Sequence, residues 1–210
     1  NFNVLKACHV IGVTKLVGCL STCIFPDMTT YPIDESMLHN GPPHHSNDAY
    51  AYAKRMLDIH CRAYREQYGD NFVSVIPTNI YGEWDNYSLE EGHVIPALIH
   101  RCYLCKQQGI PFIVRGTGKP LRQFIYSQDL ARLIMWVVTD YDEAEPIILS
   151  VGEEDEVSIE HVARMIARAY DYESMIQFDT SFSDGQFKKT ADNSKLRRLR
   201  GELSFTPFED

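Results

Sequence analysis

The most constraining feature of this chain is a set of short apolar runs set between helix-length segments. "KLVGCLST" at 15–22, "FVSVIPTNIYG" at 72–82 and "PIILSVG" at 146–152 are each continuous in apolar character and bounded by polar residues. A surface strand alternates apolar with polar; a run that does not alternate is buried on both faces, as in a parallel sheet. Parallel neighbours need a crossover, and the intervening segments have helical periodicity. Strand–helix alternation of this kind predicts an α/β fold, a doubly wound parallel sheet with helices on both faces. In such a sheet ligands bind beyond the carboxyl ends of the strands.

The helices have their own punctuation. In "NVLKACHVIGV", Val4, Leu5, Cys8 and Ile11 recur at helical spacing, but no capping residue precedes them. The chain thus reads as opening inside a helix, with an N-terminal part expected ahead of it. The last residues, "FTPFED", read as an equally abrupt end. A helix is predicted from about Ala49 to Tyr68, its apolar stripe Ala53, Met56, Leu57, His60/Cys61 and Tyr64, with Gly69 as its stop. "HVIPALIHRCYLCKQQG" reads as a helix ending at Gly109, "QDLARLIMWVVTDY" as another, and "PFIVRG" and "QFIYS" as short strands around "GTGKPLR". Ser158 is placed to cap "IEHVARMIARAYDY", with Val157 and Val162 at staple positions. "MIQF" reads as a short strand and "DNSKLRRLR" as a last helix.

Charge and composition exclude whole classes. A net charge of −9 gives no basic field for nucleic acid or a membrane surface. The longest aliphatic or aromatic run is "LIMWVV", far short of the ~20 residues that span a bilayer. No signal peptide is read, and the six cysteines follow no regular framework, which fits a reducing, cytoplasmic setting. Cys19 in its strand and Cys61 on its helix are expected to pack as small hydrophobes. Cys102-x-x-Cys105 lacks a second ligand pair and reads as helix packing, so no metal is expected. His44-His45 reads as solvated loop.

Against that frame of strands and helices, "NDAYAYAKR" places Tyr50 and Lys54 four apart on one helix face. A phenol is a poor acid–base group at neutral pH, and an ammonium held beside it favours the phenolate. The spacing alone is common. It gains weight because Ser21, the Pro-rich 24–49 loop, Tyr50 and the Pro77–Gly82 turn all fall at the carboxyl edge of the predicted sheet.

With "STCIFP", "DAYAYAKR", "PTNIYG", "HVIPALIHR" and "GTGKPLRQF" in this order, the chain resembles the short-chain dehydrogenase/reductase superfamily. It is similar in particular to the extended, sugar-nucleotide-modifying branch and, within it, to the GDP-L-fucose synthases. The resemblance covers essentially the whole chain. It implies an NADPH-dependent epimerase-reductase that converts GDP-4-keto-6-deoxy-D-mannose to GDP-L-fucose. Protons on C3 and C5 must leave one face of the ring and return to the other, which requires a base and an acid on opposite sides. Cys23 and His93 match the family positions for that pair. A thiol and an imidazole both titrate near neutrality.

The resemblance further implies that Ser21 and Tyr50 hydrogen-bond the C4 oxygen as charge develops there. Lys54 would lower the Tyr50 pKa and hold the nicotinamide ribose. Pro77, Thr78, Asn79 and Ile80, with Ser21 and His93, would line the cofactor. Arg101, Arg115, Arg122, Asp184 and Lys189 match positions at the nucleotide sugar, where a diphosphate needs cations. Arg115 stands where some relatives carry an aromatic. Lys188 and Lys189 together also read as an ordinary solvated pair. Taken singly each residue has a plainer reading: Ser21 as a turn cap, Cys23 as a small buried hydrophobe, His93 as a helix cap.

One expected element is missing. No G-x-G-x-x-G turn exists to receive a dinucleotide pyrophosphate, and "GTGKPL" does not follow a strand and open a helix. From βαβ dimensions, on the order of 90 residues are expected ahead of the chain. Residues 1–82 then read as the C-terminal half of a Rossmann-like cofactor domain. Residues 83–210 read mainly as a smaller substrate lobe, with some segments returning to the first domain. The family resemblance implies a homodimer, for which Tyr64 and Tyr68 are available, although they suit a core equally. The other readings are a different nucleotide-sugar 4-epimerase or reductase of the superfamily, or a non-catalytic binding fragment.

Overall fold

The computed structural model describes residues 1–209. The chain opens with α1 (Phe2–Ile11) and β1 (Leu16–Cys19), and a loop with three short 3-10 turns leads to α2 (Asp48–Tyr68). β2 (Phe72–Pro77), β3 (Asn79–Tyr81) and α3 (Val94–Gln108) follow, then β4 (Phe112–Arg115), β5 (Leu121–Arg122), β6 (Phe124–Tyr126) and α4 (Ser127–Asp140). β7 (Ile147–Leu149), β8 (Val157–Ser158), α5 (Ile159–Ala169), β9 (Ile176–Asp179) and α6 (Ser194–Arg200) complete it.

The three long apolar runs form one parallel sheet in the order β1-β2-β7. Every residue of β2 is buried. Its successive side chains go to opposite faces, the period of two that a strand imposes. Phe72 and Ile76 join Leu57 and Cys61 of α2 on one face. Val73 and Val75 join Leu130, Leu133 and Val137 of α4 and Leu196 of α6 on the other. This is the doubly wound arrangement that the alternation predicts. A second core joins α3 and α5 to the parallel pair β4–β9 through Leu98, Cys102, Phe112 and Val162. Two small pairs, β3–β6 parallel and β5–β8 antiparallel, carry several expected site residues, Asn79, Ile80 and Arg122 among them.

Local signals are met. Gly69 and Gly109 end α2 and α3 in the left-handed conformation. The Ser158 hydroxyl accepts from His161 N at 3.0 Å, and the staple residues Val157 and Val162 meet in the second core. Cys61, Cys102 and Cys105 are buried free thiols.

Three expectations are corrected. Cys19 is exposed, because its side chain at the end of β1 points away from the face on which its neighbours Gly18 and Leu20 are buried. On α1 only Leu5 is fully buried, with Cys8 packed beside it, whereas Val4 and Ile11 are exposed. The α2 stripe holds at Leu57 and Cys61, which are buried, but Ala53 and Met56 face outward, and Ala51, Arg55 and Asp58 face inward in their place. Two charged residues are buried there because each has a partner. Arg55 donates from Nε to Ile24 O at 2.6 Å and from Nη1 to Gly41 O at 2.7 Å. Asp58 receives Arg62 at 3.0 Å and lies 3.2 Å from His39. Both contacts fasten the 24–49 loop onto the helix, so the buried face of α2 is set by that loop as much as by apolarity. Tyr64 is half-buried against Phe72, while Tyr68 is exposed.

Candidate active site

The carboxyl ends of β1 and β2, the β3–α3 loop and the β5–β6 segment surround a cavity of about 600 Å³. Ser21, Cys23, Tyr50 and His93 all line it, together with Pro77–Ile80, Arg122 and Lys189. These residues come from six separate stretches of the chain.

Ser21 caps the 3-10 turn Thr22–Ile24, its Oγ accepting from Cys23 N at 3.3 Å. Its role as a turn cap and its place in the cavity are thus compatible: the cap fixes the turn that presents Cys23. Tyr50 lies in the first turn of α2 and is half exposed. The Lys54 ammonium is 5.7 Å from the Tyr50 ring centroid and donates to Cys19 O at 2.7 Å. A cation is therefore held beside the phenol by the end of β1. His93 stands at the N-terminal boundary of α3, its side chain largely exposed, with Nδ1 3.9 Å from Asp85 Oδ1.

The two neighbouring lysines part company. Lys188 pairs with Glu153 at 2.9 Å and Glu156 at 3.8 Å. Lys189 points the other way, with Nζ 3.8 Å from Cys23 Sγ. They are not a solvated pair, because each is drawn to a different acceptor. Arg122 donates to Leu121 O at 2.6 Å and Gln186 O at 2.8 Å, and burial draws its pKa down against the opposing pull of Glu156.

Lys54, Arg101, Arg115 and Asp184 are not among the residues that line the cavity. Arg101 is half-buried, and burial and then Arg115 lower its pKa. Arg115 stacks over Phe182 at 4.7 Å, so the cation meets an aromatic at this position after all. Asp184 is engaged internally: it accepts from Thr117 N at 2.6 Å and Thr117 Oγ1 at 2.7 Å, bonds that lower its pKa. It thereby ties the 116–118 turn.

Sequence reasoning overlooked three residues. Asp85 and Trp84 line the cavity from the β3–α3 loop, where no periodicity marks them. Gln123 lies within "GTGKPLRQF" and is fully buried. Its amide nitrogen donates to Val151 O, Gly152 O and Ala191 O, and its oxygen accepts from Ala191 N at 2.8 Å. Among the described residues no cluster of metal-ligating side chains occurs, and no helix is long and apolar enough to cross a membrane.

Comparison with known proteins decides the family. Residues 1–152 match the model of the NAD dependent epimerase/dehydratase family. The chain belongs to that family. Within it, the chain is 60% identical over 209 residues to GDP-L-fucose synthase of Dictyostelium discoideum, covering all of this chain and 65% of that protein. It is 51% identical over 216 residues to the probable GDP-L-fucose synthase of Drosophila melanogaster, covering all of this chain and 67% of that one. The crystal structure of a GDP-L-fucose synthetase from Naegleria fowleri bound to NADP superposes with a TM-score of 0.95 at 52% identity, over 99% of this chain and 66% of that one. The chain thus spans about two thirds of the length of these epimerase/dehydratase relatives, and the resemblance read from its motifs is borne out along its whole length.

Proposed function

We propose that this chain carries the catalytic and substrate-binding part of a GDP-L-fucose synthase, an NADPH-dependent epimerase-reductase that converts GDP-4-keto-6-deoxy-D-mannose to GDP-L-fucose. The observation that carries this reading is the meeting of Ser21, Cys23, Tyr50 and His93 around one cavity. The identity to synthases that bear this name supports it.

In this reading the Ser21 hydroxyl and the Tyr50 phenol donate to the C4 oxygen of the keto sugar. That stabilises the enolate formed when a proton leaves C3 or C5. Cys23 and His93 remove and return those protons, one from each face of the ring. Tyr50 then gives its proton to the C4 oxygen as the ketone is reduced, with Lys54 favouring the phenolate left behind. Arg122 and Lys189 hold the diphosphate side of the substrate, and Arg101, Arg115 and Asp184 shape its nucleotide end.

The residues present suit the cofactor. Thr78 Oγ1 is buried in the cavity wall without a hydrogen-bond partner among the described residues. A buried hydroxyl of this kind is suited to satisfaction by a polar ligand. Pro77–Ile80, Ser21, Lys54 and His93 would hold the nicotinamide half of NADPH. When bound, it supplies the hydride that C4 accepts.

The division of labour follows: residues 1–82 contribute to the cofactor domain, and 83–210 mainly to the substrate lobe. Free thiols throughout fit a cytoplasmic setting. A homodimer fits the exposed Met56, Ile59 and Tyr68 along α2.

The test uses the full-length protein with GDP-4-keto-6-deoxymannose in heavy water, without NADPH. Deuterium should enter C3 and C5, and this wash-in should disappear in Cys23→Ser and His93→Asn variants. Adding NADPH should then give GDP-L-fucose. Absence of wash-in from a protein that still binds NADPH would overturn the epimerase assignment.

A further inference from the structure

His93 enters the cavity from the start of α3 with its side chain 85% exposed and without a capping hydrogen bond of its own. Among the described residues one carboxylate lies within ion-pair distance of it. Asp85 Oδ1 lies 3.9 Å from His93 Nδ1, and the Asp85 side chain is only 19% exposed. Both residues line the same cavity. Asp85 is fixed before it meets the imidazole: its Oδ1 accepts from Asn86 N at 2.7 Å, and its own N–H donates to Gly82 O at 3.3 Å. The loop is tethered further by the hydrogen bond from Tyr126 to Glu83 at 2.5 Å.

We propose that Asp85 is a positioning residue for His93: when the exposed imidazole closes the 3.9 Å gap to Asp85 Oδ1 it donates its Nδ1–H there, which leaves Nε2 as the atom that exchanges protons with the substrate. A neutral imidazole carries one N–H, and an ionised carboxylate can only accept. The nitrogen facing Asp85 therefore keeps its hydrogen in both charge states. The other nitrogen bears a proton only in the cationic form, so proton traffic passes through it alone. A partner that fixes the tautomer in this way is what makes a histidine a directed acid or base. The loop contacts fix the carboxylate in advance, so only the imidazole has to move to meet it.

This inference rests on the proposed function for its catalytic half, and the experiment separates the two. In full-length protein with ring-¹⁵N-labelled histidine, the His93 resonances are those that vanish in His93→Asn. The neutral ring should be the Nδ1–H tautomer in the wild type. In Asp85→Ser it should revert to the Nε2–H form that a free histidine side chain prefers. Serine retains an oxygen for the local turn, so a purely structural role survives this substitution. The deuterium wash-in rate, measured without NADPH, should fall by about tenfold or more, as expected for a misdirected general acid–base group. An unchanged tautomer, or an unchanged wash-in rate, overturns the proposal. A wild type that shows the Nδ1–H tautomer but no wash-in upholds the Asp85–His93 contact and overturns the epimerase assignment instead.

Discussion

The Lys189 ammonium lies 3.8 Å from the Cys23 sulfur, across 166 residues of sequence. The ammonium donates to the sulfur and so links the stretch that carries Lys189 to the Ser21–Cys23 turn. Replacing Lys189 by methionine keeps most of the stem and removes the donor. Loss of one hydrogen bond predicts a fall of about 1 kcal/mol in stability, read as a lower urea midpoint. Cys23→Ala should cost a similar amount, and the double variant little more than either single one, because the two residues share one contact. Full additivity of the two losses would mean that Lys189 and Cys23 act independently.

Gln123 satisfies four backbone groups from two distant segments, and through Ala191 it anchors the stretch that carries Lys189. Leucine at this position has similar volume and no polar atoms, so it would leave those buried groups unpaired. The expected loss is about 3 kcal/mol, visible as a lower urea midpoint. A loss below about 1 kcal/mol would show that water replaces the amide.

Glu35 reaches from the 24–49 loop to accept from Ile148 N at 2.8 Å at the edge of the parallel sheet. Burial raises its pKa above the ordinary 4.5, outweighing the hydrogen bond from Ile148 that favours the anion. The sign follows from linkage. A carboxyl raised in the folded state contributes stability that is complete below the unfolded value and is lost as pH rises through the folded value. Glu35→Gln keeps an acceptor and removes the titration. The variant should gain stability relative to the wild type as pH rises from about 4.5 and level off once the native carboxyl is ionised. Denaturation midpoints from pH 4 to 8 check this, and a difference that does not change with pH refutes it.

Gly118, in the "GTG" turn, adopts φ +75, and a Cβ there would lie 2.6 Å from the Phe178 ring and 2.9 Å from Glu160 Cβ. Alanine meets both a left-handed backbone and a clash. Gly118→Ala is expected to destabilise by roughly 2–4 kcal/mol. Thermal melts measure it; a near-neutral substitution would mean that α5 yields.

Much of this was accessible from local pattern. Strand position depends on runs of apolar residues, and Phe72–Pro77 was read because both its faces are buried. Helix ends depend on single residues, as at Ser158 and Gly109. Ser21, Cys23, Tyr50 and His93 were found because a resemblance in ordered motifs located them, and the sheet's carboxyl edge brought them together. The α2 face was misread because periodicity counts apolar residues. Arg55 and Asp58 are buried through hydrogen bonds to a loop whose path no local rule gives.

The sequence by itself determined the elements, their order, the doubly wound class and the chemistry-bearing residue types, because each is a property of a few consecutive side chains. Tertiary structure alone decided the pairings: Lys189 with Cys23, Asp85 with His93, Gln123 with the backbone of Val151, Gly152 and Ala191, and Asp184 with Thr117 in the 116–118 turn. Pairings depend on the three-dimensional path of loops, and distance along the chain carries almost no information about distance across a cavity.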